Sequence, residues 1–200
     1  MKKKHLEIML QKIPPALQPN PMLEQYSTPA SIAADILYIA YQFGDIYDKS
    51  IIDLGCGTGI FAIGSALLGA KKIIGIDIDD KVIQAAKENA KSFNLKIEFL
   101  THSIENVQQK CDTVLMNPPF GAQKSNEKAD RKFIEKGFEI ADILYSLHLT
   151  KTIPFLEKMI SSLNGTCTFQ KKYRFPIKWQ FSFHSKQQKE FEVTLIRIQI

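Results

Sequence analysis

Two stretches of this 200-residue chain hold residue types whose order suits chemistry as well as folding: DLGCGTG at Asp53–Gly59 and NPPF at Asn117–Phe120. An exocyclic amine on a heteroaromatic ring is a poor nucleophile, because its lone pair is delocalised into the ring. It needs two aligned hydrogen-bond acceptors more than it needs a strong base. Asn117 carries an amide carbonyl, and the main-chain carbonyl of Pro118 is a second acceptor. Pro118 and Pro119 fix two φ angles and drive Asn117 toward extended backbone, which makes the corner rigid where an amine would sit. Two such acceptors pull the amine toward tetrahedral character by positioning and electrostatics, without a covalent intermediate. Phe120 then offers a ring on which an extruded base stacks, a contact of about 1–3 kcal/mol.

In DLGCGTG, Gly55 and Gly57 let the backbone turn sharply and approach a ligand, and Gly59 opens the next helix toward it. The pattern is GxGxG. It departs from the GxGxxG dinucleotide fingerprint, because position 60 is Ile and the third glycine comes one residue early. Asp77 ends the following strand 20 residues beyond Gly57, where a carboxylate accepts both hydroxyls of a ribose. Glycine turn plus acidic strand end implies a nucleoside-like cofactor. Alone, the glycines make a tight strand-to-helix turn and NPPF makes a stiff corner. Their common place at strand ends favours the chemical reading.

The elements that position these motifs alternate. SIIDL and KKIIGIDID are continuous apolar runs of doubly buried strands, each followed by a helix: IFAIGSALLGA, closed by Gly69, and DKVIQAAKENAKSF, with Asp80 near its start. Strands KIEFL and CDTVLMN follow, then a helix over ADRKFIEKGFEIADIL, a short strand YSLHL, and a helix KTIPFLEKMISSL interrupted near its start by Pro154. GTCTFQKKYRF and EFEVTLIRIQI alternate as an antiparallel pair. Before all of these, a short basic amphipathic segment leads into IPPALQPNPMLEQYSTP, whose prolines forbid a regular helix, so it lies extended across a surface. Thr28 reads as the N-cap of a first helix that Pro29 opens and Gly44 ends. The expected fold class is α/β: a doubly wound, mainly parallel seven-stranded sheet with helices on both faces and an antiparallel C-terminal pair. Residues 1–28 are expected to form an N-terminal helix and an extended arm, and residues 29–200 a single domain.

Composition is ordinary for a globular chain, 44% apolar and 24% charged. No run of 18 apolar residues occurs, and the N-terminus lacks the apolar core and cleavage site of a signal peptide, so a cytoplasmic location is expected. Cys56, Cys111 and Cys167 are odd in number and widely spaced, predicting free thiols, and no metal site is expected. His5, His102 and His184 show no metal spacing, His148 reads as structural or substrate-positioning, and KSNEKADRK reads as a solvated loop that can close over a target.

The net charge of +5 sits at one end. Residues 1–164 carry 19 basic and 19 acidic side chains, whereas residues 165–200 carry 7 and 2. Phe169, Tyr173, Phe175, Trp179, Phe181 and Phe183 interleave with the basic residues, among which Lys171, Lys172, Lys178 and Lys186 are candidate RNA contacts. Cations beside rings suit a looped or single-stranded nucleic acid. The alternative is a solvated basic edge hairpin whose aromatics belong to the core.

The order DLGCGTG, strand-end Asp and NPPF resembles the class I S-adenosylmethionine-dependent methyltransferases that modify exocyclic amines. More narrowly, LEQYSTPASIAADIL, LLGAKKIIGIDID, DTVLMNPPFGAQ, LYSLH and EVTLIRI resemble the small-subunit ribosomal RNA N6-adenine methyltransferases, methyltransferase-like protein five in animals and its archaeal relatives, from about Leu23 to the C-terminus. The resemblance implies S-adenosyl-L-methionine as cofactor and adenine N6 in ribosomal RNA as target. It further implies that Gln25, Tyr26 and Thr28 lie over the cofactor, that Gly55, Gly57, Thr58 and Ile60 belong to its methionine-side loop, with Asp53 a further cofactor-binding residue, and that Asp77 holds its ribose. Asn117, Pro118, Pro119 and Phe120 match the amine-binding motif. One position departs: where animal members carry an acidic residue near the cofactor's adenine, this chain has Ser103 with Ile104. A small zinc-binding activator protein, pairing along a sheet edge as a heterodimer partner, is implied as well. The same motif serves guanine N2, cytosine N4 and protein glutamine, and only the family resemblance selects adenine. A non-catalytic RNA-binding module or a nicotinamide-binding protein is the remaining alternative. Asn117 argues against the first, and GxGxG against the second.

Overall fold

The computed structural model describes residues 1–16, 20, 24, 26–120, 129–178 and 188–200. The apolar runs form the centre of a seven-stranded sheet. These are β1 (Ser50–Leu54), β2 (Lys72–Asp77), β3 (Glu98–Thr101), β4 (Cys111–Met116), β5 (Ala141–Leu149), β6 (Thr166–Lys178) and β7 (Gln188–Gln199), in the spatial order β3-β2-β1-β4-β5-β7-β6. The first five strands are mutually parallel, and β7 pairs antiparallel with both β5 and β6. The chain steps outward from β1 in both directions, so the order reverses between β1 and β4. Ligands of open α/β sheets bind at the carboxyl ends of strands at such a reversal.

Alternate residues of each strand serve opposite faces. Ile51, Ile73, Phe99, Leu115, Tyr145 and Leu147 pack with helices α1 (Lys3–Leu10), α2 (Ala30–Gln42), α3 (Ile60–Leu67) and α4 (Asp80–Ser92). Ile52, Leu54, Ile74, Ile76, Val114 and Met116 pack with α5 (Ala129–Ile140) and α6 (Ile153–Ser162). With both faces covered, β1 is buried from Ile51 to Leu54, as its unbroken apolar run requires.

Three local features differ from expectation. The helix expected to run through Leu144 stops at Ile140, and β5 begins at Ala141 as a nine-residue strand with no intervening loop. Pairing with β4 on one side and β7 on the other outweighs the helical periodicity there. Pro154 falls in the first turn of α6, where its missing N–H costs nothing, so the helix is not interrupted. At α2 the N-cap position is Pro29, without a side-chain cap, and the Thr28 hydroxyl is committed elsewhere. Helix α4 is capped by Asp79, whose Oδ1 accepts from Lys81 N at 2.9 Å.

Candidate functional site

Strand β1 ends at Leu54 and β4 at Met116, and these two residues are register partners. The glycine turn and the NPPF corner therefore leave neighbouring strands at the same level. Between them and the N-terminal arm opens a cavity of about 640 Å³, within the roughly 300–1,000 Å³ usual for small-ligand sites.

The glycine side is tied down by β2. Gly55 and Cys56 both donate their N–H to Ile76 O, at 2.8 and 2.9 Å. Gly57, at φ 52°, presents its N–H to Asp77 Oδ2 at 2.9 Å, and Gly59, at φ 88°, is the residue from which α3 starts. L side chains rarely adopt these left-handed angles, so the turn requires glycine there. Asp77 Oδ1 accepts from Asp79 N at 3.1 Å. Burial raises the Asp77 pKa against the pull of the backbone N–H groups of Asp79, Gly57 and Ile78, and a carboxylate with about four acceptor positions keeps capacity beyond them. Ile78, next in the chain, is 60% exposed, an apolar side chain set at the cavity rather than in the core.

Asp53 behaves differently. Its carboxylate is buried beneath the loop, Oδ2 accepts from Ala62 N at 2.9 Å, and it is not part of the cavity wall. Burial pushes its pKa up to about 7. It joins β1 to the first turn of α3, and a direct cofactor contact does not follow from its position.

On the other side, Asn117 donates from Nδ2 to Thr28 Oγ1 at 3.0 Å. Its Oδ1 is shielded from solvent and has no hydrogen-bond partner among the described residues. An unpartnered buried carbonyl costs about 1–3 kcal/mol, a cost that a substrate N–H donor bound at this corner would relieve. Pro119 lines the cavity beside it. Phe120 does not stand free at the mouth. Its ring lies 6.5 Å from Tyr26, the planes 16° apart, and meets Phe175 edge-on at 5.6 Å.

The arm supplies the facing wall through Pro14, Pro15, Tyr26 and Thr28, with burial raising the Tyr26 pKa. Ser103, Ile104 and His102 close the third side beyond β3. Thr58 and Ile60 line the cavity too, and Thr58 O is held by Asn89 Nδ2 at 3.0 Å. Gln25 lies outside the described residues. Phe133 of α5 and Pro176 of β6 also reach the cavity, and nothing local in their sequence marks them. Ile78 could have been found as a large apolar residue just past a strand's carboxyl end.

His148 is fully buried, within 2.6 Å of Ser146 Oγ by Nε2, and burial lowers its pKa to about 3. It is a neutral core residue that does not line the cavity.

The basic C-terminal hairpin is partly neutralised by the fold. Lys171 pairs with Asp35 at 2.6 Å, where Lys3 and Tyr173 also bind, and Lys172 pairs with Glu192 at 3.2 Å. Burial pushes Asp35 up, yet its three donors prevail and its pKa is lowered. Phe175 is fully buried, and Phe169 and Tyr173 pack against the core. Trp179, Phe181, Phe183, His184 and Lys186 lie outside the described residues, as does the Lys178 side chain. Cys56, Cys111 and Cys167 are free thiols, and no cluster suited to a metal occurs among the described residues.

The family model for ribosomal protein L11 methyltransferase (PrmA) matches residues 40–118. An uncharacterized protein of Methanocaldococcus jannaschii is 42% identical, covering 100% of this chain and 94% of that one. METTL5 of Danio rerio, an rRNA N(6)-adenosine-methyltransferase, is 34% identical over 98% of both chains. The crystal structure of a proposed RNA methyltransferase from Pyrococcus horikoshii is 36% identical with a TM-score of 0.92, covering 100% of this chain and 98% of that one. Identity at this level along the whole chain, with the same sheet beneath it, means that this protein belongs to the rRNA N6-adenosine-methyltransferase family, class I enzymes that use S-adenosylmethionine.

Proposed function

We propose that this chain methylates N6 of an adenine in small-subunit ribosomal RNA, and that Asn117 Oδ1 and the Pro118 main-chain carbonyl receive the two N–H donors of the amine. The observation that carries this reading is the unpartnered, solvent-shielded Asn117 Oδ1 at the end of the strand beside the glycine turn. The residues present suit S-adenosylmethionine. Asp77 has lone pairs left for ribose hydroxyls, Gly55, Gly57, Thr58 and Ile60 allow close main-chain approach, and Ser103, Ile104 and Ile78 bound the region suited to a purine. When bound, this cofactor supplies a methyl group on a positively charged sulfur.

What the chain itself does is orient and exclude. Asn117 and Pro118 hold the amine by its two hydrogens and draw it toward tetrahedral character, which localises the nitrogen lone pair on the face toward the glycine turn. Phe120, backed by Tyr26 and Phe175, offers an aromatic surface for the base. No general base is required in the transfer, because the proton leaves to water afterward.

The PrmA match ends at residue 118, whereas the METTL5 likeness includes the basic hairpin. The hairpin's Lys171, Lys172, Lys178 and Lys186 are assigned to the RNA backbone, the first two by exchanging carboxylate partners for phosphates. The arm, residues 1–28, acts as the cover and residues 29–200 as the methyltransferase domain. A small zinc-binding activator fits as a heterodimer partner along an outer strand of the sheet, whose outermost strands are β3 and β6. No helix among the described residues is long and apolar enough to cross a membrane, and a cytoplasmic site of action accords with the proposed substrate.

The test is to incubate the protein and labelled cofactor with naked ribosomal RNA and with small subunits, digest to nucleosides and identify the product. N6-methyladenosine is expected. Label in another base or none at all overturns the assignment.

A further inference from the structure

We infer that Thr28 is a positioning residue that sets which end of the Asn117 amide faces the substrate. The inference rests on the amine-acceptor reading of Asn117 and assigns Thr28 a role different from cofactor contact.

The two ends of a primary amide are alike in shape and opposite in hydrogen-bonding sense. Turned one way, Asn117 gives an incoming amine an acceptor. Turned the other way it confronts the amine's N–H groups with its own NH2, and the corner repels what it should hold. Pro118 and Pro119 fix the backbone but have no influence on this half-turn of the side chain. The structure supplies the missing constraint 89 residues earlier in the chain. Thr28 Oγ1 accepts from Asn117 Nδ2 at 3.0 Å, and Oδ1 is left as the free end. Both residues line the same cavity.

Thr28 is itself well held for this task. It is only 8% exposed, the following Pro29 restricts it to extended backbone, and its hydroxyl is not spent on capping α2. The arm touches the motif a second time where Tyr26 lies over Phe120. One segment therefore steadies both the acceptor and the ring of the amine site. Seating the arm over the cavity and aligning the acceptor become a single event.

Thr28→Val keeps the side chain's shape and removes the acceptor oxygen, while Thr28→Ser keeps the oxygen. With ribosomal RNA as substrate, Thr28→Val should lower kcat by about 10–100-fold, the usual cost of misplacing a reacting group. Cofactor affinity by calorimetry should stay within about 3-fold, since the hydroxyl is engaged by Asn117, and Thr28→Ser should recover kcat to within about 3-fold of the parent. In an Asn117→Ala background, Thr28→Val should remove nothing more from the residual rate. A Thr28→Val variant with unchanged kcat and weakened cofactor binding overturns the inference. So does an additive loss in the double variant, or a Thr28→Ser variant as slow as Thr28→Val. Normal turnover by Asn117→Ala alone would instead bring down the amine-acceptor reading, so the two failures are distinguishable.

Discussion

Leu54 and Met116 lie side by side as register partners at the ends of two parallel strands, which makes Gly55 and Asn117 the first residues beyond them. A one-residue slip in that register would carry the amide away from the level of the glycine turn and turn every side chain of β4 to the wrong face. The alignment of cofactor turn and amine corner is thus a property of β-sheet pairing and needs no dedicated contact between the two loops.

Removing the acceptor should separate binding from chemistry. Asn117→Ala is expected to lower kcat by about 10²–10³-fold, as for loss of one preorganised hydrogen-bonding group. Cofactor affinity should change by less than about 3-fold, because the lost interaction belongs to the transition state. Single-turnover kinetics and calorimetry on the same preparation make the comparison, and a variant that turns over at the parental rate refutes the acceptor role.

The Asp77 carboxylate should govern cofactor affinity instead. Asp77→Ala leaves Gly57 N–H without its partner and removes the acceptor assigned to ribose hydroxyls. A hydrogen bond to a charged group contributes about 1.5–3 kcal/mol, so the cofactor Kd should rise by about 10–100-fold. Calorimetric titration of the variant measures it, and an unchanged Kd counts against the assignment.

Two buried ionisable groups should give opposite pH dependences of stability. His148 has a folded pKa near 3, below its ordinary 6.5, so between these values the unfolded chain holds a proton that the native one lacks. Stability from this group rises with pH across that window by about 1.4 kcal/mol per unit. Asp53, raised from 3.8 to about 7, holds a proton in the native state that the unfolded chain has lost, so its contribution falls as pH rises from 4 to 7. Where the windows overlap the two slopes oppose one another in the parent protein. Urea unfolding of His148→Gln should reveal a stability that declines from pH 4.5 to 6.5, and of Asp53→Asn one that climbs. Parallel curves for all three proteins would contradict both assignments.

The hairpin lysines should contribute unequally to folding and alike to RNA. Lys171 serves Asp35 together with Lys3 and Tyr173, whereas Lys172 has the exposed Glu192. Each is well exposed, so stability losses on mutation to Ala should stay below about 1 kcal/mol, larger for Lys171→Ala. If each lysine meets a phosphate, the double variant should reduce the slope of log affinity against log salt by about 2. Filter binding across a salt series reads that slope, and a parental value removes the hairpin from the RNA surface.

The legible parts of this molecule are those whose signals are local. Continuous apolar runs identified β1 and β2, the glycines and Asp77 marked a tight turn that lines the cavity, and NPPF marked the corner beside it. What escaped depends on partners far away in the chain. Ala141 and Leu144 continue the helical stripe of Ile134 and Phe138 as well as they suit a strand, and only pairing with β4 and β7 decides. Thr28 before Pro29 has the look of a helix cap until Asn117, 89 residues on, claims its hydroxyl. Lys171 resembled a free cation because Asp35, its partner, is 136 residues away. Phe175, interleaved with basic residues, suits a base and the core equally by its sequence context, and the structure buries it.

Because Pro14, Pro15, Tyr26 and Thr28 form a wall of the cavity, substitutions in this segment should alter the shape of the site while leaving the central sheet intact.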